Sequence, residues 1–165
     1  ACLLAVQHDP LDAQARYCLA VMTELSYQDL FDTAVAAIPF DPAGPIRVLD
    51  LGAGTGLFSW HVLQRYDRGE YLLYDLADGM LAVARQRFAD RGGQFQFMRG
   101  DLCDLDIEEK PDLVISSLAI HHLADPEKRR LFKKIYSSLS PGGAFINVDQ
   151  VKGATDHFVN LYWDN

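Results

Sequence analysis

The chain has 165 residues, of which 49% are hydrophobic and 23% are charged, and its formal net charge is -8. This composition is ordinary for a globular domain, and its apolar runs are too short to cross a bilayer, so we expect no membrane partner. The acidic excess argues against a nucleic-acid partner, because proteins that grip a phosphate backbone usually present a basic surface.

Cysteine usage predicts a reducing location. Cys2, Cys18 and Cys103 are widely spaced and form no paired motif. Such a pattern is more typical of intracellular thiols than of a disulfide framework or a zinc site. We therefore expect a cytoplasmic protein without a bound metal.

The N-terminal residues 1–40 are predicted to form a helical extension, or lid. Ser26 followed by Asp29 is a helix-capping pattern, and apolar residues then recur at helical spacing at Leu30, Phe31, Ala34, Val35 and Ile38. A loop rich in proline ends this segment. We treat residues 41–165 as the second unit.

Strand-like and helix-like patterns alternate after residue 45. The predicted strands cover residues 46–51, 71–76, 94–98, 112–117 and 144–148. Helix-like spacing separates most of them, over 57–66, 80–88 and 125–139, and Thr155 is a candidate cap for a last helix. Strands alternating with helices predict an α/β fold with a doubly wound, mostly parallel, Rossmann-like sheet.

The stretch VLDLGAGTG, residues 48–56, predicts a ligand-binding turn between the first of these strands and the helix after it. In such sheets ligands bind beyond the carboxyl ends of the strands. Gly52 permits a tight turn, Gly54 lets a ligand approach the main chain, and Gly56 lets the helix begin close to the sheet. The helix N-terminus favours an anionic group.

Two acids follow the next two predicted strands. Asp75 ends the second strand, where a carboxylate can accept hydrogen bonds from both hydroxyls of a ribose. Asp101 follows the third strand and can accept from an exocyclic amine such as that of adenine, with an Asx turn as the alternative. Together with the glycines they outline one elongated ligand with a charged end, a ribose and an amino-heterocycle.

In this order and spacing, the motifs resemble those of the class I S-adenosylmethionine-dependent methyltransferases. The matching segments are VLDLGAGTG, LLYDLADGMLAVAR, FMRGDLCDL, PDLVISSLAIHHL and LSPGGAFINVD, which together span about residues 46–149. The resemblance implies S-adenosylmethionine as cofactor and S-adenosylhomocysteine as product. It implies methyl transfer by in-line displacement, in which the protein positions the acceptor and needs no dedicated base.

The resemblance also implies roles by position. The methionine part would lie over the glycine loop with Ala53, and Asp50 would hold the loop or the amino group. Other implied cofactor contacts are Leu76 and Met80 on the adenosine, Leu102 beside Asp101 at the adenine, and Ser117 and Leu118 near the sulfonium. No catalytic residue is assigned, and the adjacent His121 and His122 are expected to shape their loop rather than to catalyse or bind metal.

The chain departs from the family pattern at its C-terminus. The family sheet usually has two further strands that form an antiparallel hairpin, and residues after 148 leave no room for them. We expect the edge of the fifth predicted strand to be open and the natural chain to continue beyond Asn165.

Other functions stay open at this stage. A nicotinamide-dependent oxidoreductase would show G-x-G-x-x-G, but the sixth position from Gly52 is Leu57. A binding module, or a synthase that modifies the sulfonium methyl, would share the fold. The negative charge favours a small-molecule acceptor, whose identity the sequence leaves open, as it does the oligomeric state, a homodimer included.

Overall fold

A computed structural model of the chain describes residues 2–8, 16–20 and 27–150. The predicted cap Ser26 and the predicted helix from Thr155 lie outside these residues. Within them, no helix is long and apolar enough to cross a membrane.

Seven strands and four α-helices make up the described part of the chain. The strands are β1 (Cys2–His8), β2 (Arg16–Ala20), β3 (Arg47–Leu51), β4 (Glu70–Asp75), β5 (Phe95–Arg99), β6 (Leu113–Ser117) and β7 (Ala144–Gln150). The helices are α1 (Tyr27–Ala36), α2 (Leu57–Leu63), α3 (Asp78–Arg87) and α4 (Asp125–Ser138).

The strands form one sheet in the order β2-β1-β7-β6-β3-β4-β5. The five strands from β3 to β7 run parallel to one another. Strand order reverses at β3, whose neighbours are β4 on one side and β6 on the other. The predicted doubly wound, Rossmann-like sheet is therefore confirmed, and its ligand-binding edge is expected at the carboxyl end of β3.

The N-terminal extension differs from the prediction. Residues 2–8 and 16–20 form strands rather than helices, although the predicted helix is present from Tyr27. β1 pairs antiparallel with both β2 and β7. The expectation that the edge of β7 is open was therefore wrong, because β1 pairs with β7 along that edge.

Two apolar layers enclose the parallel strands. The layer on one face includes Phe31 of α1, Phe58 and Val62 of α2 and Leu81 of α3. The opposite layer includes Leu131 and Ile135 of α4. Burial on both faces explains why the central strands are almost wholly apolar and why their few buried polar residues are informative.

Strand register brings the predicted site residues to one edge of the sheet. Leu51 is aligned with Tyr74 of β4 and with Ser116 of β6. Ser117 is aligned in turn with Val148 of β7. The carboxyl ends of β3, β4, β6 and β7 therefore lie side by side.

Candidate functional site

The loop from β3 to α2 has three glycines in left-handed conformation. Their φ angles are 66° at Gly52, 55° at Gly54 and 74° at Gly56. Side chains other than glycine rarely adopt such angles. Each glycine has a different environment, so the three have separate structural reasons.

Gly56 and Gly52 allow close packing. A Cβ at Gly56 would lie 2.7 Å from Cε2 of Phe88, so the bare backbone lets α2 begin against the core. A Cβ at Gly52 would overlap the Cβ of Ala119, in the loop after β6. The tight turn predicted at Gly52 therefore also brings the loops after β3 and β6 into contact.

We expect Gly52→Ala to destabilise the protein by roughly 3 kcal/mol. Of this, roughly 1 kcal/mol comes from the positive φ and roughly 2 kcal/mol from overpacking against Ala119, whose Cβ has no freedom to turn away. Gly142→Ala is the matched control, because Gly142 has a φ of 79° and open space at its Cβ position. Denaturant unfolding measures both, and equal losses in the two variants would show that the contact carries no energy.

Gly54 faces open space and is joined to the predicted ribose-binding acid. A Cβ at Gly54 would meet no described atom within 4 Å. Its N–H donates to Oδ2 of Asp75 over 2.7 Å, and the N–H of Ala77 donates to Oδ1 of the same carboxylate over 2.8 Å. Each oxygen still has lone-pair capacity for a further donor. The accessible backbone and the acid thus form one continuous surface.

Asp50 lies beneath this surface. Its side chain is 1% exposed, and its Oδ2 accepts a hydrogen bond from the hydroxyl of Ser59 over 2.6 Å. Burial raises the pKa of Asp50 to about 7; the hydrogen bonds from Ser59 lower it, and the charge of Asp75 adds to the rise. This hydrogen bond joins the strand before the glycine loop to the helix after it, and the two predicted roles of Asp50 stay predictions.

Asp101 lies at the same edge, beyond β5. Its Oδ1 accepts the N–H of Cys103 over 2.8 Å, which is the Asx turn that the sequence left as an alternative. The hydroxyl of Tyr74 donates to the carbonyl of Asp101 over 2.9 Å and anchors the segment. Because Asp101 itself is exposed, the turn and a ligand contact are compatible. Leu102 is half-buried against the α4-side layer.

Ser117 and Leu118 stand at the end of β6. Leu118 has a φ of 51° and is the only non-glycine residue with a positive φ in the described part of the chain. Its N–H donates to the carbonyl of Val148 over 2.9 Å, which ties this strained backbone to β7. Strain of this kind costs about 1–3 kcal/mol and is often found where a binding site is shaped.

Two apolar side chains are exposed beside Asp75. Leu76 is 59% exposed and Met80, on the first turn of α3, is 48% exposed. Exposed apolar side chains next to a polar edge provide a surface on which a flat ligand can pack. These are the two residues that the resemblance places against the adenosine.

Sequence analysis missed one polar pair at this edge. Nδ1 of His121 lies 2.6 Å from Oδ1 of Asp149, and the backbone N–H of His121 donates to Oδ2 over 3.0 Å. Asp149 is 3% exposed. The position of Asp149 near the end of a predicted strand, like that of Asp75, was a usable signal.

Metal binding has no support among residues 28–149. Within this range no three His, Cys, Asp or Glu side chains are grouped in a way that could hold a metal ion. The adjacent rings of His121 and His122 lie 3.9 Å apart between centroids, which is a ring contact rather than a shared ligand geometry.

Residues 48–143 match the methyltransferase domain family. The matched range begins in β3 and includes the glycine loop, Asp75, Asp101 and Leu118. The resemblance inferred from the motifs is thereby confirmed, and the nicotinamide-dependent alternative is set aside.

Curated relatives include two bacterial methyltransferases. The chain is 34% identical over 109 residues to trans-aconitate 2-methyltransferase of Methylobacterium nodulans, which covers 66% of the chain and 39% of that protein. It is 31% identical over 97 residues to malonyl-[acyl-carrier protein] O-methyltransferase 1 of Ilyobacter polytropus, covering 59% and 35%. The chain therefore spans well under half the length of these relatives.

Solved structures share the fold. The glycopeptide N-methyltransferase MtfA complexed with sinefungin is 26% identical with a TM-score of 0.56, over 71% of this chain and 46% of that one. The YcgJ protein of Bacillus subtilis is 23% identical with a TM-score of 0.65, over 82% and 57%. With more than half of its sequence matched, from β3 to the turn before β7, the chain belongs to the methyltransferase domain family.

Proposed function

We propose that this chain binds S-adenosylmethionine along the carboxyl edge of β3, β4, β5 and β6 and transfers its methyl group to a small-molecule acceptor. The methionine part would lie over Gly54, the ribose at Asp75 and the adenine near Asp101. This order follows the strand order β6-β3-β4-β5 across the sheet.

The hydrogen bond from the Gly54 N–H to Asp75 is the observation that carries the proposal. It joins two features that a nucleoside attached to an amino acid requires side by side: an open stretch of main chain and a carboxylate.

The residues at this edge suit the chemistry of the cofactor. Asp75 uses each oxygen once for a backbone N–H, which leaves acceptor capacity for the two ribose hydroxyls. Leu76 and Met80 present apolar surface next to it.

When bound, S-adenosylmethionine supplies a methyl group on a sulfonium, which leaves as a neutral thioether. The chain's own residues would hold the two reactants in line and keep water from the reacting atoms, and such alignment accounts for much of an enzymatic rate enhancement. Leu118, strained and tied to β7, is the described residue best placed to shape that part of the edge.

A small acceptor is favoured by charge and supported by the relatives' names. The net charge of -8 disfavours a nucleic acid. Two relatives are named for methylating trans-aconitate and a malonyl group on a carrier protein. We therefore propose an organic acceptor of this size, free or attached to a carrier.

Gly54→Ala tests the proposal. A methyl group at this open position would lie where the cofactor approaches the main chain, so we expect the affinity for S-adenosylhomocysteine, measured by calorimetry, to fall about tenfold or more, equivalent to about 1.4 kcal/mol. The expected loss of stability is only the roughly 1 kcal/mol of strain from the positive φ.

Gly142→Ala is again the control, because it adds the same backbone strain away from this edge. Unchanged affinity in Gly54→Ala would contradict the proposed binding mode. Mass spectrometry of the nucleotide product separates methyl transfer, which leaves S-adenosylhomocysteine, from modification of the sulfonium methyl.

A further inference from the structure

His121 and Asp149 form a buried-to-exposed pair at the end of β6 and β7. The carboxylate of Asp149 accepts a hydrogen bond from the His121 backbone N–H and also contacts Nδ1 of the ring, so it holds both the backbone and the imidazole of this residue. The side chain of Asp149 is 4% exposed and that of His121 is 27% exposed. The two residues are 28 positions apart in sequence.

The contact bears on which nitrogen of the ring carries a proton, because the donor and acceptor roles of Nδ1 and Nε2 depend on the tautomer. An ionised carboxylate only accepts hydrogen bonds, so the 2.6 Å contact requires a proton on Nδ1 of His121. In the neutral imidazole, Nε2 then has a free lone pair. Nε2 is the ring nitrogen that does not face the buried carboxylate.

The pair lies at the proposed reaction edge. His121 follows Leu118 by three residues, and Leu118 is bonded to Val148, the neighbour of Asp149. The other titratable group in contact with the ring, among the described residues, is His122 on the same loop. A ring that merely shaped the loop would not require a buried carboxylate to orient it.

Resting on the proposed function, we propose that Nε2 of His121 accepts a proton from the methyl acceptor and that Asp149 positions the ring. The acceptor then belongs to a defined class: its nucleophilic atom bears a proton, as a hydroxyl or an enolisable carbon does. The acceptor's electron pair forms the bond to the methyl carbon, the carbon–sulfur bond breaks with its pair remaining on sulfur, and the proton goes to Nε2.

The tautomer of His121 provides a test that needs no acceptor. The protein, labelled with ¹⁵N-histidine and saturated with S-adenosylhomocysteine, is examined by long-range ¹H–¹⁵N NMR at pH 8, and His121→Asn assigns the signal. We expect Nδ1–H with an unprotonated Nε2. A proton on Nε2 in the wild-type protein would overturn the proposal.

Asp149→Asn tests the positioning role. The amide can still accept the backbone N–H, but its NH₂ group would face Nδ1, so we expect the His121 proton to move to Nε2. An unchanged tautomer in a folded Asp149→Asn protein would exclude this role for Asp149. If the variant does not fold, the tautomer of His121 in the wild-type protein remains the test of the proposal.

Turnover supplies the second arm. We offer a phenol (4-methylcatechol), a 3-oxoacyl thioester (acetoacetyl-N-acetylcysteamine) and a carboxylate (benzoate) as probes. If the phenol or the thioester is methylated, we expect His121→Asn to lower kcat for that probe about a hundredfold. We also expect the fall of kcat at acid pH to be absent in this variant. His122→Phe keeps a ring against His121, and we expect its kcat to stay within threefold of the wild-type value.

Each outcome is decisive. Methylation of benzoate alone, or equal rates in the wild type and His121→Asn, would overturn the proposal that His121 acts as a base. If no probe is methylated, the tautomer measured by NMR tests that proposal instead. Calorimetry on the same sample separates the two proposals. If the protein does not bind S-adenosylhomocysteine, both the proposed function and the role of His121 as a base are overturned. If it binds S-adenosylhomocysteine but His121 carries its proton on Nε2, only the role of His121 is overturned.

Discussion

Replacing Asp75 by alanine is expected to weaken the binding of S-adenosylhomocysteine about a thousandfold. Hydrogen bonds to a charged group contribute about 1.5–3 kcal/mol each, and the variant would lose two of them to the ribose. A thousandfold change corresponds to about 4 kcal/mol. The expected loss is larger than that in Gly54→Ala, because Asp75 makes polar contacts and Gly54 supplies only space.

The variant also loses the partners of two backbone N–H groups, those of Gly54 and Ala77. We therefore expect a lower melting temperature, and calorimetry must be done well below it. Asp78→Ala is the matched control: Asp78 begins α3, is exposed and is paired with Arg99 at 3.1 Å. The affinity of Asp78→Ala for S-adenosylhomocysteine should stay within threefold of the wild-type value. If Asp75→Ala and Asp78→Ala bound S-adenosylhomocysteine with comparable affinity, the proposal that Asp75 binds the ribose would be contradicted.

Asp50 is expected to make the protein less stable as the pH rises from about 4 to 7. Its pKa is about 7 in the folded protein, against an ordinary value of 3.8 for an exposed aspartate. Between these values the folded state holds a proton that the unfolded state has released, so stability falls with rising pH. The stabilisation is fully present below pH 3.8 and is lost through pH 7, a change of about 4 kcal/mol.

Asp50→Asn isolates this contribution. Its amide oxygen can still accept from the Ser59 hydroxyl, but it carries no titrating group. Denaturant unfolding at several pH values should show that the difference in stability between the variant and the wild type grows in favour of the variant as the pH rises. Parallel stability curves from pH 4 to pH 8 would mean that the carboxylate of Asp50 is not desolvated.

These two acids lie in neighbouring strands next to the glycine loop and are expected to have different roles. Asp50 is buried and bonded to α2, and Asp75 is half-buried and bonded to the loop itself. The first is therefore expected to control stability and the second affinity. Separate readouts for the two variants test that division directly.

Local patterns in the sequence were sufficient for the core of the fold. Short apolar runs bounded by glycine and proline are typical of buried parallel strands, and helical spacing between them is a signal over neighbouring residues. The edge acids were predictable for the same reason: in a parallel sheet every strand ends at a common edge, so Asp75 and Asp101 had to lie at the same edge as the glycine loop.

Local patterns failed at the N-terminus. A short apolar run such as residues 2–6 is compatible with a helix or a strand, and the choice depends on a partner far away in sequence. Cys2–His8 pairs with Ala144–Gln150 across more than 130 residues. The free edge of β7 selects the strand, because unpaired backbone groups there need partners.

The sequence by itself determined the parallel strands, the glycine loop and the acids that follow the strands, because these depend on residue periodicity and on the conformational freedom of glycine. Only the tertiary structure decided three contacts: Ser59 with Asp50, Ala119 against Gly52, and His121 with Asp149. The reason is physical. Whether a polar or small side chain is a turn residue, a packing spacer or one half of a proton-holding pair depends on which strand ends lie side by side, and that is a property of the folded sheet.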